Sequence, residues 1–506
     1  MADIDVHTED DIERLRQMAV LQDAENKILH ERIALLSAEN EKLREQKKGR
    51  LQKELRAVKQ HLAKLQRMQF GAKSEKRKRD EERKDKPKRR KERERFGTTP
   101  QPDLPHVEAH FELDEPDTVC PKCGDMLEEM GACSEDSEMI DVVERRFVVK
   151  QVKQQKYRCR CGHVEAALGP DKLRGTSRYS PEFAIEVTVN KYLDHLPLER
   201  QVRRMKREGL VVSSQTLWDQ VNRLADHVET TYWGIREWVT AADVMGMDET
   251  PWPHIKRGGA KKWQLWAMRG RGAIWYALRN SRSGETAEDL LGDFEGWLMC
   301  DALGSYGKAA RRSEQVVRLA GCWAHIRRKF IDCEQNRPQK CGEILDLIGE
   351  LYEVEARARD PDEGWELMEC RGHLRATESR AIVERIKDWL GKQNPLPSTA
   401  FGKAVNHLRE QWSRLTHFVD HPELWIDNNP TERAIRGPVI GRKNFAGCRS
   451  PRGMEVAAML YTIFETAKIC AEDPRAYIRR IVEADIRNPH TVTMPEAIQE
   501  ILDELD

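Results

Sequence analysis

Three acidic positions and two cysteine pairs carry most of the chemistry this sequence could perform. Asp248 in ADVMGMDETPW (242–252) closes an apolar run that reads as a strand ending at the aspartate, and Asp301 in GWLMCDALGSYG closes another. Carboxylates at the ends of neighbouring buried strands are costly alone, and a divalent cation reverses that cost. A third carboxylate, Asp427 or Glu432 in WIDNNPTERAIR (425–436), precedes or begins a helix. Two aspartates and one further carboxylate can hold two Mg²⁺ or Mn²⁺ ions about 3.5–4 Å apart, activating an attacking oxygen and stabilising a leaving one. Each position also has a plainer reading. Asp248 can cap a turn before Thr250-Pro251, and Asp301 can cap the next helix. Asn429, Pro430 and Glu432 fit an N-cap, a first helical position and a capping box.

The cysteines point to a second metal. Cys120 and Cys123 in CPKCG have knuckle spacing, with a glycine that relaxes the turn so both thiolates face one Zn²⁺. Cys159 and Cys161 in YRCRCGHV are one residue apart, so His163 can replace one of them as ligand. Residues 138–158 alternate apolar and polar, which predicts a hairpin carrying that second pair.

Stepping outward from these residues, KKWQLWAMRG and GAIWYALRNSRS read as strands joined by a basic turn. VVRLAGCWAHIRRKF reads as a strand running into a helix, on which His325, Arg327 and Arg328 can face phosphate. Arg442 and Lys443 in GRKN look like phosphate contacts in a glycine-flanked loop. Upstream, LPLERQVRRMKREGLVVSSQTLWDQVNRL gives a helix, a break at Gly209, a serine cap and a second helix. That is a helix-turn-helix pattern, with Arg203, Arg204, Lys206 and Gln215 as candidate DNA contacts.

The N-terminal stretch is different. Leu29, Leu36 and Leu43 recur every seven residues, with Asn26, Ile33 and Asn40 interleaved, which predicts a parallel coiled-coil dimer. After Lys47 the frame shifts to Leu51, Val58 and Leu65, a stutter. Between Lys73 and Arg95 stand fourteen Lys/Arg against seven Asp/Glu, a net of +7, which reads as a flexible basic linker suited to phosphate backbone. The formal net charge of +0 over 506 residues hides this asymmetry. A mean hydropathy of −0.74 and the absence of any apolar run near the ~20 residues of a membrane span argue against a membrane protein. The start MADIDVHTEDDIERL lacks a signal-peptide pattern, so a reducing, cytoplasmic setting is expected and metal outranks disulfides for the cysteines.

Taken in order, MQFGAKSEK, CPKCG, PLERQ, MDETPW, CDALGSY, GCWAHIRRKF, DNNPTERAIR and GRKNFAGCRSPRG followed by EVAAMLYTIFETAK resemble the transposase of the bacterial insertion-sequence 66 family, a DDE-type enzyme. The resemblance covers nearly the whole chain. It implies that Asp248, Asp301 and Glu432 are the DDE triad, binding two Mg²⁺ ions for hydrolysis at the element ends and strand transfer into target DNA. It also implies terminal inverted repeats as the DNA partner and accessory proteins from the same element. The expected architecture is multidomain. A coiled coil (1–70) and basic linker (71–105) lead to a small zinc-binding β domain (106–170) and a helical DNA-binding region (171–240). An α/β ribonuclease H-like core (241–330 and 426–485) follows, split by a helical insertion (331–425) and ended by a tail (486–506). The rival reading is a non-catalytic, dimeric, zinc-containing DNA-binding regulator whose acidic residues are caps.

Overall fold

The computed structural model describes Met126 and residues 147–505, apart from 162, 175–177, 257–258, 302–303, 314–315 and 360–365. The expected coiled coil and linker, with Cys120 and Cys123, lie outside the described residues.

The first described element is a small antiparallel hairpin of β1 (Lys156–Arg158) and β2 (Val164–Ala166), with Tyr157 opposite Glu165. The hairpin is therefore later than the alternating stretch suggested, and residues 147–155 are not strand. Three helices follow: α1 (Pro181–Tyr192), α2 (Leu198–Arg207) and α3 (Ser214–Thr240). Ser180 and Ser213 cap α1 and α3 by accepting the backbone N–H of Phe183 and Thr216. Gly209 makes the turn between α2 and α3 with φ +84°, a conformation that suits glycine. The second helix of this pair is not a free-standing reader. From Leu217 to Val239 it buries one face in the main core.

That core is built on a five-stranded mixed sheet in the order β5-β4-β3-β6-β7. β3 (Val244–Lys256), β4 (Gly259–Gly270) and β5 (Ala273–Arg279) form an antiparallel meander; β6 (Gly296–Met299) and β7 (Val317–Ala320) add in parallel. Helix α4 (Gly284–Leu291) lies between β5 and β6, and α5 (Gly304–Arg312) between β6 and β7. β3 does not end at Asp248 as the sequence suggested; it continues eight residues further into the hairpin with β4.

After β7, α6 (Trp323–Cys333) leads into α7 (Pro338–Ala358), α8 (Leu367–Leu374), a π turn (Arg375–Ser379), α9 (Arg380–Gly391) and α10 (Ala400–Thr416). The helical stretch expected between the second aspartate and the glutamate is thus present. The chain returns through α11 (Asn429–Phe445) to α12 (Pro451–Ile469), α13 (Pro474–Arg487) and α14 (Glu496–Leu505). Residues 486–506 are more than a tail, since Met494 and Ile498 are buried in the main core.

The alternation of β3 and β6 divides the apolar residues between two cores. Met245, Met247 and Leu298 pack with α1, α3, α12 and α13, whereas Val244, Trp297 and Met299 pack with α6 to α10. Thr462 and Thr466 of α12 accept the N–H groups of Tyr276 and Ile274 on the outer edge of β5, and Tyr232 of α3 donates to the Tyr276 carbonyl. That edge is satisfied and covered.

Candidate active site

The register places the two aspartates. Gly246 of β3 is level with Met299 of the parallel strand β6, and Met299 with Ala320 of β7. Two residues beyond this level stand Asp248, still within β3, and Asp301 and Cys322, each just past the end of its strand. Period-2 alternation puts Asp248 on the face of Val244 and Gly246, and Asp301 and Cys322 line one cavity with His325 of α6.

Glu432 is brought to the same face by close backbone contact. A Cβ on Gly246 would meet the Thr431 Oγ1 at 2.2 Å and the Asn428 Oδ1 at 2.7 Å, so only glycine lets α11 approach β3 this closely. Asn428 donates its side-chain N–H to the Met247 carbonyl at 2.9 Å and its backbone N–H to Cys322 Sγ at 3.2 Å. Arg269 of β4 donates to the Pro430 carbonyl at 2.9 Å.

The helix start differs from the expected capping box. Asn428, not Asn429, is the N-cap, and its side chain bonds to β3 rather than to its own helix. Asp427 is buried and takes the capping role, accepting the backbone N–H of Asn429 at 3.0 Å and the Tyr352 hydroxyl at 2.7 Å. Glu432 is left out of the cap. Its Oε2 accepts from Arg328 Nη2 at 2.6 Å, and its Oε1 lies 3.6 Å from His325 Nδ1.

Asp248 records how closely the acids crowd. Burial, with the charges of Glu249, Glu432 and Asp301, raises its carboxyl to about 7, against a backbone hydrogen bond that lowers it. Glu249 points elsewhere. Its carboxylate is held by Arg282 at 2.5 Å and by the Tyr306 hydroxyl, tying β3 to the helix that follows Asp301.

The expected DNA contacts divide. Arg203, Lys206 and Gln215 are exposed. Arg204 is turned inward, paired with Glu186 at 3.3 Å and Glu208 at 3.4 Å. Arg442 and Lys443 are in the last turn of α11, not in a loop; Arg442 donates to Thr250 Oγ1 and the Pro251 carbonyl, while Lys443 is exposed. His325, Arg327 and Arg328 lie on α6, half-buried, with His325 and Arg328 facing Glu432 rather than solvent alone. In the small hairpin, Cys159 and Cys161 are exposed beside the turn, and the Cys159 N–H donates to the His163 carbonyl at 2.8 Å. The thiol of Cys159 is lowered by hydrogen bonding from the Cys161 backbone and side chain.

Residues 176–456 match the family described as "Transposase IS66 family", and residues 117–162 match "zinc-finger binding domain of transposase IS66". The chain belongs to the IS66 transposase family. Its relatives in Sinorhizobium fredii (strain NBRC 101917 / NGR234) include "Uncharacterized protein y4qI", 30% identical over 392 residues, covering 73% of this chain and 71% of that one. "Uncharacterized protein y4jD" is 26% identical over 415 residues, covering 78% and 80%. The zinc-finger match of this IS66 chain includes Cys120, Cys123, Cys159 and Cys161 and stops one residue short of His163. The chain is thus a multidomain, helix-rich protein around a mixed sheet, and among its described residues no helix is long and apolar enough to cross a membrane.

Sequence reasoning passed over Gly246, Asn428 and Cys322, which hold the acidic cluster together. Their signals were present as the glycine two before Asp248, the doubled asparagine, and the Cys-x-x-His spacing of CWAH.

Proposed function

We propose that this IS66-family chain is a DDE transposase with a ribonuclease H-like core, in which Asp248, Asp301 and Glu432 hold two Mg²⁺ or Mn²⁺ ions. The reading rests on one observation: Asp248 and Asp301 each stand two residues beyond the paired Gly246 and Met299 of neighbouring parallel strands, and the start of α11, which carries Glu432, is pinned against β3. The carboxyl groups fit such ions, because Asp248 is raised to about 7 by burial among acids, a cost that a divalent cation removes. When bound, the ions supply activation of the attacking oxygen and stabilisation of the leaving one. The chain's own part is to fix the three carboxylates, to keep Asp427 out of the cluster as a cap, and to aim Arg328 and His325 at the same place. Exposed Arg203, Lys206, Gln215 and Lys443, with Arg327 on α6, are proposed to contact the phosphates and bases of terminal repeats and target DNA. The finger is proposed to hold Zn²⁺ through Cys120, Cys123, Cys159 and Cys161, with His163 as the alternative ligand. Self-association through residues 1–70 and dependence on accessory proteins of the element complete the proposal.

The test is Mg²⁺-dependent cleavage and joining of DNA carrying element ends, comparing the intact chain with Glu432→Gln. The substitution keeps size and removes the charge. A fall of about 10²-fold or more in both steps, with folding and DNA binding retained, supports the reading. Cutting at the parental rate removes Glu432 from the site. An intact chain that binds ends but never cuts, with the element's other proteins added, favours the zinc-containing regulator.

A further inference from the structure

We propose that Cys322, His325 and Glu432 form a binding site for a zinc-class divalent ion, distinct in ligand chemistry from the carboxylate cluster beside it. One ligand atom from each of the three residues lies within 4.8 Å of the others. Cys322 and His325 are three apart at the start of α6 and so share a face of that helix. Glu432 comes from α11, so the site would clamp two helices whose contacting residues, Arg328 and Glu432, are 104 residues apart in sequence.

Two atoms in this cluster make no hydrogen bond. Glu432 Oε1 and His325 Nδ1 are both buried and have no hydrogen-bond partner among the described residues. They are 3.6 Å apart, too far for a hydrogen bond but close to the roughly 3.3 Å that separates two ligands of one tetrahedral zinc with bonds of about 2.0–2.1 Å. Arg328 holds the other oxygen, Oε2, at 2.6 Å, which orients Oε1 toward the imidazole. Cys322 Sγ is already turned inward, accepting the Asn428 N–H. A small cavity lined by Asp301, Cys322, His325 and His407 opens beside the cluster and gives an ion room to enter.

The donor set decides the class of ion. Sulfur, imidazole nitrogen and one carboxylate oxygen suit zinc, cobalt and similar ions, whereas Mg²⁺ takes oxygen ligands. An ion held here would engage Glu432 through Oε1. If Glu432 serves the catalytic ions, as proposed above, the two sites compete for one side chain, and zinc would restrain catalysis by Mg²⁺. The binding claim itself does not depend on that reading.

Cobalt(II) is the probe, because its absorption reports both stoichiometry and thiolate ligation. Metal-free full-length chain would be titrated with Co²⁺ beside Cys322→Ser and His325→Gln, with circular dichroism confirming the fold of each. The zinc finger contributes equally to all three. The expected result is one more equivalent per intact chain than per variant, with the extra thiolate charge-transfer band lost in Cys322→Ser. Should the buried serine variant fail to fold, His325→Gln, altered at a half-buried position, decides alone. Equal numbers of Co²⁺ bound by the intact chain and by folded His325→Gln overturn the proposal. Glu432→Gln that still cuts DNA would sink the catalytic reading while leaving the cobalt count to judge this site.

Discussion

Gly246 shows how much of the site rests on the absence of a side chain. Its backbone is ordinary strand, yet a methyl group there would sit 2.2 Å from Thr431 Oγ1 and 2.7 Å from both Asn428 Oδ1 and the Trp425 ring. Thr431 is fully buried and Asn428 nearly so, which leaves them little room to withdraw. Gly246→Ala should therefore push the start of α11 away from β3. We expect a loss of about 1–3 kcal/mol in denaturant unfolding, the usual cost of overpacking. DNA cleavage should fall further than stability does, because a shift of about 1 Å in one catalytic group can cost 10²-fold. An alanine variant with parental stability and cleavage would show that α11 can move without consequence. The carboxylates themselves were legible in the sequence, since Asp248 and Asp301 close apolar runs. The choice between Asp427 and Glu432 was not, because both lie in one polar turn. Only the position of Tyr352, seventy-five residues away, draws Asp427 into a capping role.

Among the elements, the helices between α6 and α11 are tied together by a buried cation. Arg375 opens the π turn, is fully buried, and pairs with both oxygens of Glu355 at 2.7 and 2.9 Å. It also donates to the carbonyls of Phe418, His421 and Leu424, the segment that leads into Asp427 and α11. Arg375→Met would strand the Glu355 charge and leave those carbonyls unmatched. A loss of about 3–5 kcal/mol is expected, read as a lower denaturation midpoint. Adding Glu355→Leu should recover part of it, and failure to do so would mean the carbonyls matter more than the ion pair. Strand extent was harder to read than strand presence. The close of the apolar run suggested that β3 stops at Asp248, but it continues through Pro251 and Pro253, past Gly246 where its pairing with β6 along one edge ends. Proline lacks an N–H that such an edge does not use for β6. The apolar runs of β4 and β5 carried no such conflict, and the helices α2 and α3 announced themselves through Gly209 and Ser213.

At the scale of the whole chain, two cores meet across one sheet, and each depends on segments far apart in sequence. Val244 packs with the insertion, and Met494 and Ile498 pack with the first helices. Local periodicity cannot reveal such pairing, which is why residues 171–240 read as a separate region although α1 and α3 share the core of the sheet. Partnering between chains is a separate expectation, resting on the heptads alone. In that expectation Leu29, Leu36 and Leu43 would form one seam position, and Asn26 and Asn40 the other. Asparagine at such positions favours two parallel strands in fixed register at some cost in stability. Light scattering of the full-length chain should therefore give the mass of a dimer, and removal of residues 1–70 should leave the mass of a single shortened chain. Asn40→Ile should tighten association while loosening the restriction to two chains, giving species larger than a dimer. A truncated chain that keeps the dimer mass would locate self-association in residues 71–506 instead. Two chains joined in parallel at their N-termini would present two carboxylate clusters, one for each element end in the proposed reaction.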